Sequence, residues 1–158
     1  MDDITYSIPT EKDLFFLARH LKENDRKEII GLSGNGNVLE ELKSSVKHSE
    51  FSRVCFFGSE PVAVFGIRRM SPFEKVGIVW LLTTPKTQEH KVFVGRTTKR
   101  AVRAFMREWK LLYNYVDEEN EFSLKWLRFI GAKIYPAKEL GIFGVRYHYF
   151  EFLPEVVK

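Results

Sequence analysis

Residues 111–135, LLYNYVDEENEFSLKWLRFIGAKIY, predict a complete strand-helix-strand unit. Leu111–Val116 is an apolar and aromatic run typical of a strand, and an acidic turn follows it. The helix Asn120–Ile130 is short and amphipathic, begins at a capping asparagine and stops before Gly131. A strand at Lys133–Tyr135 completes the unit. Because such a unit packs a helix against one face of a sheet, it restricts the chain to an architecture that combines helices and strands in alternation.

In the rest of the chain, segments with the hydrophobic period of a helix and segments with that of a strand follow one another in a definite order. Thr10 opens a helix with Asp13 as an acidic variant of a capping box, and the turn Ser33–Asn37 separates it from a second helix that starts at Val38. The period then becomes two, before the longest helical pattern begins. The other predicted elements are a strand at Thr5–Pro9, a hairpin of Arg53–Gly58 and Pro61–Met70 that turns at Ser59-Glu60, a strand at Val76–Thr84, a helix over about 88–110 and a last strand at Val145–Phe152.

The element order βααβββαβαββ predicts an α/β fold built on a mixed sheet. An antiparallel meander followed by β-α-β units places helices on both faces of such a sheet. With 158 residues, 44% of them hydrophobic, the chain is long enough to bury a substantial core. We therefore expect a single domain over residues 1–158.

The composition excludes several classes of protein. A single cysteine, Cys55, rules out an internal disulfide framework, and four scattered histidines give no zinc-ligand spacing, so no metal is expected. No apolar run reaches the ~20 residues that span a bilayer, and the start MDDITYSIPT lacks the features of a secretory signal. We expect no membrane contact and a cytoplasmic location. The net charge of +4 favours anionic partners without choosing among them.

The longest helical pattern carries a basic stripe opposite its apolar side. The stripe consists of Arg96, Lys99, Arg100, Arg103, Arg107 and Lys110. One interpretation is a solvated outer face. Another is an anion site, because Arg96, Lys99 and Arg100 lie near the helix start, where free N–H groups and the helix dipole favour phosphate. Nucleic-acid binding would use the whole stripe. The aromatic residues disfavour that use, because they alternate inside strands instead of accompanying the basic face.

The helix of residues 120–131 has a recognisable layout. Its residues Asn120, Ser123, Trp126, Leu127 and Gly131 resemble the last β-α-β unit of the GNAT (GCN5-related N-acetyltransferase) fold. The element order agrees with that fold over nearly the whole chain. The resemblance implies a GNAT-like sheet and an acetyl-CoA site. In the family the end of the fourth strand splays from the fifth, and backbone groups in the gap bind the pantetheine arm; residues 80–83 correspond to that end.

The resemblance also implies where the cofactor phosphates bind. The family's pyrophosphate loop, normally Gln/Arg-x-x-Gly-x-Gly/Ala, lies at the start of the next helix. The corresponding run is Val92–Thr97, in which only Gly95 fits, and a β-branched Thr97 makes close approach of backbone amides harder. The asparagine that begins the following helix is often a cofactor contact, although a plain N-cap explains it equally. The implied cofactor-binding residues are Leu81, Leu82, Thr83, Gly95, Arg96, Thr97, Lys99, Arg100, Asn120 and Ser123.

The catalytic positions match the family less well. Some members carry a glutamate in the fourth strand as general base, because an amine with a pKa of about 10 is protonated at neutral pH. Gly77 holds that position here, and the nearest carboxylate is Glu74. A tyrosine seven residues after the asparagine often protonates the departing thiolate, and here Leu127 replaces it. The nearby hydroxyl groups that could substitute are those of Ser123, Tyr113 and Tyr115.

Residues 111–135 are also similar to the matching segment of small GNAT-like proteins of tailed bacteriophages, a family that includes an internal virion protein. The shared features are the aromatic-Asn-Tyr-Val strand and the Ile-Gly-Ala helix end. This resemblance implies a virus-encoded chain in the host cytoplasm or the virion. Two functions stay open. One is an acetyl-CoA-dependent N-acetyltransferase that acts directly on an amine of a host protein or small molecule. The other is a catalytically degenerate protein that binds a host or virion protein, with Phe93 and Trp80 filling its cleft.

Overall fold

The computed structural model describes residues 3–33, 36–141 and 144–155. Helices and strands alternate along it in nearly the predicted order. The elements are β1 (Ile4–Ser7), α1 (Glu11–His20), α2 (Glu23–Ser33), α3 (Val38–His48), β2 (Phe51–Phe57), β3 (Glu60–Arg69), β4 (Val76–Thr83), a 3-10 helix (Pro85–His90), α4 (Lys91–Phe105), β5 (Leu111–Asp117), α5 (Glu121–Phe129), β6 (Lys133–Ile134), β7 (Lys138–Glu139) and β8 (Arg146–Phe152).

The strands form an eight-stranded sheet in the order β1-β2-β3-β4-β5-β8-β6, with β7 paired to β8. β4 and β5 run parallel. The pairs β1–β2, β2–β3, β5–β8, β6–β8 and β7–β8 are antiparallel. The predicted α/β fold, a mixed sheet flanked by helices, is therefore confirmed. The two-residue strand β7 was not predicted, because so short a segment shows no hydrophobic period.

The chain divides into two compact units. The first unit comprises residues 1–68 and 80–90, and the second comprises residues 69–79 and 91–158. β4 contributes residues 76–79 to the second unit and residues 80–83 to the first. The expectation of one domain over residues 1–158 stays a prediction.

The first unit is built around buried residues of its helices and strands. Thr10 and Asp13 form the predicted capping box at the start of α1, with both side-chain to backbone distances at 3.2 Å. The apolar side of α1 is buried as predicted, and Leu17 is fully buried. The buried core cluster of this unit consists of Leu14, Leu17, Ala18, Leu21, Val38, Leu42, Val54, Val64 and Leu82. Leu82 therefore belongs to the core.

The N-terminal part contains one helix more than predicted. The sequence analysis left residues 22–32 without an element, whereas the structure has α2 there. The segment ENDRKEI is polar and gives little amphipathic signal, which is why it was missed. Ser33 ends α2 and Asn37 caps α3, its Oδ1 accepting from the Glu40 N–H at 3.2 Å; the middle of the predicted turn, residues 34–35, lies outside the described residues.

Several boundaries also differ from the prediction, and two of these differences change a turn or a helix. The β2–β3 turn lies one residue earlier, at Gly58-Ser59, where Gly58 adopts a φ of +60° that a glycine tolerates. The long helix is shorter than predicted, because a 3-10 helix precedes α4 and the chain turns after Phe105. Trp109 is buried beyond that turn, with only 5% of its surface exposed. Arg107 and Lys110 consequently lie outside α4, and the basic stripe is not continuous.

The second unit has a clear inner face on β5 and β8. Leu112 pairs with Phe152 in the register, and both side chains are buried. The inner residues of α5, Leu124 and Leu127, are buried too. α4 approaches α5 closely, because a Cβ built on Gly95 would lie 3.0 Å from the Phe129 ring.

Candidate active site

The parallel pairing of β4 and β5 ends early. Its register covers Val76–Leu111, Gly77–Leu112 and Ile78–Tyr113, whereas β4 continues to Thr83 and β5 to Asp117. Beyond Ile78 the main chain of β4 therefore has no ladder partner in β5. This is the region in which the GNAT resemblance implied splayed strands.

An asparagine side chain marks the end of that ladder. The Nδ2 of Asn114 donates to the Val79 carbonyl at 2.9 Å, and its Oδ1 accepts from the Tyr115 N–H at 2.8 Å. The amide thus replaces the next main-chain bond between the strands. The sequence analysis named this asparagine only as part of the aromatic-Asn-Tyr-Val strand and gave it no role. The sequence signal that could have indicated its role is a single amide side chain inside the apolar run LLYNYV.

The far end of β4 is anchored by α2 and the residue before it. Asp25 is 5% exposed, and its Oδ2 accepts from the Thr83 N–H at 2.7 Å and from the Thr83 hydroxyl at 2.9 Å. The Thr83 carbonyl accepts from the Lys22 N–H at 2.9 Å. Thr83 was predicted to bind cofactor through its main chain. Its N–H, hydroxyl and carbonyl groups are already hydrogen-bonded within the structure, and the predicted cofactor contact stays a prediction.

Between the two anchors lies Leu81. Main-chain N–H and C=O groups point to alternate edges of a strand, so residues 79, 81 and 83 share one edge. Val79 is engaged by Asn114 and Thr83 by Asp25. Thr84 and Val76 bond on the opposite edge, the first to Val62 and the second to Met70. The edge of β4 between its anchors thus presents the N–H and C=O of Leu81.

The predicted phosphate loop is not a loop. Residues 92–97 lie inside α4, which begins at Lys91, and the segment before the helix is the 3-10 helix Pro85–His90. Neither Gly95 nor Thr97 lies at the helix start. Gly95 is buried against Phe129, so close packing of α5 explains this glycine. The 3-10 helix has no glycine that would let backbone amides approach a phosphate.

The three cations assigned to the phosphate site have different surroundings. Arg96 and Arg100 are exposed, as a phosphate site requires. Lys99 is half-buried, and its Nζ lies 5.1 Å from the centroid of the Phe129 ring. Two exposed guanidinium groups one turn apart therefore stay available to an anion.

The start of α5 is occupied by its own cap. The Oδ1 of Asn120 accepts from the Ser123 N–H at 3.1 Å, and Asn120 is 4% exposed. The N-cap interpretation of Asn120 is confirmed, and that oxygen and the Ser123 N–H serve the helix. Leu127 is buried in the core, so the position of the family's tyrosine cannot supply a proton.

Glu74 lies two residues before β4. Its carboxylate pairs with the Lys110 Nζ at 3.4 Å. Its catalytic role stays a prediction.

Tyr113 lies at the end of the β4–β5 ladder, beside Asn114. Its ring is half-buried and packs against Tyr149 with centroids 5.8 Å apart. Of the hydroxyl-bearing candidates, it is the one positioned next to the anchored Val79 carbonyl.

A histidine and the cysteine have structural surroundings. The His148 Nδ1 donates to the Tyr135 carbonyl at 2.7 Å. Cys55 is buried, and burial raises the pKa of its thiol to about 11. Among the residues that the structure describes, no cluster of His, Cys, Asp and Glu could hold a metal ion. No helix in the described ranges is long and apolar enough to cross a membrane.

No protein-family model and no curated protein matches the sequence. Solved structures match it over nearly its whole length. A spermidine N-acetyltransferase from Vibrio cholerae, in complex with CoA and spermine, has a TM-score of 0.70 at 15% identity, with 98% of this chain and 97% of that chain covered. A GNAT-family acetyltransferase from Bacillus anthracis has a TM-score of 0.72 at 13% identity, with 98% of each chain covered.

A third similar structure, yncA from Salmonella typhimurium with its cofactor acetyl-CoA, has a TM-score of 0.66 at 10% identity and covers 96% of this chain and 94% of that chain. These likenesses place the protein in a structural class: it has the GNAT fold. The three structures come from bacteria, so the similarity to phage proteins stays a prediction.

Proposed function

We propose that this protein is an acetyl-CoA-dependent N-acetyltransferase that transfers the acetyl group directly to an amine. The open edge of β4 at Leu81 carries the proposal, because both neighbours on that edge are held by side chains while β5 pairs only with residues 76–78. The similar structures support it, since two were solved with CoA or acetyl-CoA.

In the proposed reaction the neutral amine nitrogen attacks the thioester carbonyl carbon. A C–N bond forms, the C–S bond breaks, and the surplus proton of the amine ends on the departing thiolate. The carbonyl oxygen gains negative charge on the way, and the Leu81 N–H would donate to it. Tyr113, next to the ladder end, is our candidate for the group that delivers a proton to the thiolate.

Arg96 and Arg100 would hold the phosphates of the substrate. Both side chains are exposed and lie one turn apart, in the second and third turns of α4. Glu74, Gly95, Thr83 and Thr97 have no role in the proposal. The missing glycines leave these two arginines with a larger share of phosphate binding than in a glycine-rich loop.

Titration calorimetry with acetyl-CoA tests the proposal. We expect binding at micromolar strength, and we expect Arg96→Glu with Arg100→Glu to abolish it. The matched control is Arg107→Glu with Lys138→Glu, which changes the net charge equally at exposed positions outside α4. No heat at millimolar ligand, or equal loss in both double variants, would contradict the proposal.

A second candidate function is a GNAT-fold protein without catalysis that binds a host or virion protein. Two observations favour it: the 3-10 helix before α4 lacks glycine, and Leu127 is buried where the family often has its proton donor. The predicted filling of the cleft has mixed support. The Trp80 Nε1 donates to the Ser49 Oγ at 2.8 Å and its ring packs on Gly66, so this side chain is engaged within the first unit; Phe93 is 38% exposed.

Thiol release distinguishes the two candidates. An acetyltransferase produces free CoA from acetyl-CoA in proportion to added amine, above the rate without protein. Binding of acetyl-CoA with no amine-dependent thiol release across a panel of alkylamines and lysine peptides would favour the non-catalytic protein.

A further inference from the structure

One face of the second unit carries four tyrosines around a glutamate. β5 and β8 place alternate residues on this face: Tyr115 is paired with Tyr149, and Tyr113 with Glu151. Tyr135, just after β6, packs against Tyr149 from the other side of β8. We call Tyr113, Tyr115, Tyr135, Tyr149 and Glu151 the tyrosine face.

The rings of the tyrosine face converge on Tyr149. Its centroid lies 5.8 Å from that of Tyr113, 5.5 Å from that of Tyr115 and 5.4 Å from that of Tyr135, with tilted or edge-on geometry. In tilted and edge-on packing of this kind the electron-poor edge of one ring lies against the electron-rich face of its neighbour. A positive charge is attracted to the face of an aromatic ring within about 6 Å.

Glu151 adds a negative charge to that region. The Tyr135 hydroxyl donates to its Oε1 at 2.6 Å, and the Tyr149 hydroxyl donates to its Oε2 at 3.0 Å. These two bonds orient both rings. Burial, and then the hydrogen bond to Glu151, raises the pKa of Tyr149, so this phenol stays a neutral donor at physiological pH. Tyr149 therefore adds no charge of its own to the region.

The tyrosine face is held in place independently of any ligand. The Tyr135 N–H donates to the Tyr149 carbonyl at 2.9 Å, and the Tyr135 carbonyl accepts from His148. With the phenol bonded to Glu151, Tyr135 is fixed at three points. A binding site that is already ordered loses little conformational entropy when it binds its ligand.

The tyrosine face is accessible, and one ammonium group already uses it. Tyr115 is 40% exposed, and the other members are half-buried. The Lys133 Nζ lies 5.1 Å from the Tyr135 centroid. Among the residues that the structure describes, no lysine or arginine forms an ion pair with Glu151. Lys133 is the register partner of Glu151 in β6, so its ammonium offsets part of that negative charge without forming an ion pair with it.

We propose that the tyrosine face binds an aliphatic ammonium group, with its positive charge over Tyr115 and Tyr149 and balanced by Glu151. A free alkylamine and a lysine side chain share this chemistry. The face begins at Tyr113, where β4 and β5 part. The proposal rests on the proposed function only in one respect, namely that the bound amine is the acetyl acceptor.

NMR of the tyrosine ring signals tests binding with n-butylammonium as the probe and n-butanol as its neutral isostere. We expect saturable shifts of the Tyr115 and Tyr149 rings by n-butylammonium, with a dissociation constant on the order of millimolar, and no saturable shift by n-butanol. Equal responses to the two probes, or no response to n-butylammonium, would overturn the proposal. Nα-acetyl-lysine methylamide in a parallel titration identifies the source, since tighter binding than n-butylammonium selects a lysine side chain.

Substitutions distinguish the contribution of the Tyr115 ring to ammonium binding from that of the Glu151 charge. Tyr115→Leu should weaken n-butylammonium binding about two- to fivefold, whereas Tyr115→Phe keeps the ring and should bind as the unsubstituted protein does. Glu151→Gln should weaken it roughly tenfold. The matched control is Glu155→Gln, exposed beyond the end of β8. Unchanged affinity in both Tyr115→Leu and Glu151→Gln would refute the site.

The same samples keep this proposal distinct from the proposed function. Ammonium binding without any heat from acetyl-CoA would leave the site standing and refute the acetyltransferase. Acetyl-CoA binding without an ammonium response would refute the ammonium site and leave the proposed acetyltransferase standing. If both bind, Tyr115→Leu should raise the KM for the amine and leave the affinity for acetyl-CoA unchanged.

Discussion

The two ends of the open segment of β4 are held in contrasting ways. At Val79 a neutral amide, Asn114, makes one hydrogen bond from a neighbouring strand. At Thr83 the buried carboxylate of Asp25, in α2, accepts hydrogen bonds from the Thr83 N–H and hydroxyl, and the Lys22 N–H donates a third bond to the Thr83 carbonyl. Both anchors form hydrogen bonds with main-chain groups on the same edge of β4.

The contrast separates two tasks. The anchor at Val79 ends a ladder, so it determines where the strands stop pairing. The anchor at Thr83 keeps a buried strand end satisfied, because an unpaired backbone N–H there would be costly. We expect Asp25 to matter more for stability and Asn114 more for the geometry of the edge.

The largest effect is expected from Asp25→Ala. It leaves the buried N–H and hydroxyl of Thr83 without their acceptor, and we expect the free energy of unfolding to fall by about 3 kcal/mol. Urea denaturation followed by circular dichroism measures this. Glu23→Ala, an exposed carboxylate in the same helical turn, is the matched control and should change stability little. A loss below 1 kcal/mol for Asp25→Ala would remove the proposed difference between the anchors.

A smaller effect is expected from Asn114→Ala. It removes the bond to the Val79 carbonyl, and we expect a loss of about 2 kcal/mol in the free energy of unfolding. The same variant should weaken acetyl-CoA binding in calorimetry, because the edge next to Leu81 loses its fixed boundary. If Asn114→Ala changed stability but bound acetyl-CoA as before, the amide would be a structural bond only.

Much of the fold follows from local patterns, whereas these anchors do not. The α5 unit was predicted almost to the residue, since its signals (an N-cap, an apolar side and a terminating glycine) lie within a dozen positions. Asp25 and Thr83 are 58 residues apart, and Asn114 and Val79 are 35 apart. The local sequence of a polar helix or an apolar strand does not indicate which distant carbonyl or N–H group its side chains will bond.

The phosphate-loop assignment also depended on a local match. The run Val92–Thr97 was matched to the family's motif, in which only Gly95 fits, and phosphate binding there stays a prediction. In the structure the run lies inside α4, and the close neighbour of Gly95 is the Phe129 ring. A glycine in a helix permits close packing as readily as it permits phosphate binding. Sequence alone does not distinguish the two until the helix start, Lys91, is known.

A third test concerns the segment beside the Thr83 anchor. Trp80→Phe removes the bond from the indole Nε1 to the Ser49 Oγ, and we expect a loss of about 1 kcal/mol in the free energy of unfolding. Ser49 keeps its own bond to the Ser45 carbonyl at 2.7 Å, so no buried group is stranded. Urea denaturation measures the change. A loss as large as that of Asp25→Ala would mean that the indole, not the carboxylate, secures this end of β4.

The smallest effect is a pH dependence that only the Asp25 anchor should show. Burial raises the pKa of Asp25, while Lys22 and the hydrogen bonds from Thr83 lower it without cancelling the effect of burial. The folded state thus binds this proton more tightly than the unfolded state, whose ordinary value is 3.8. The contribution of this group to stability is fully present below that pH and is lost as the pH rises through the folded pKa.

Asp25→Asn removes that titration and keeps an oxygen for the Thr83 N–H. We therefore expect the variant to gain stability relative to the unsubstituted protein as the pH increases from about 4 toward neutrality. Urea denaturation at a series of pH values measures the difference, and Asn114→Ala serves as the comparison, because an amide does not titrate. A difference between Asp25→Asn and the unsubstituted protein that stays constant with pH would show that the carboxyl group does not change its proton affinity on folding, and the two anchors would then differ in bond number alone.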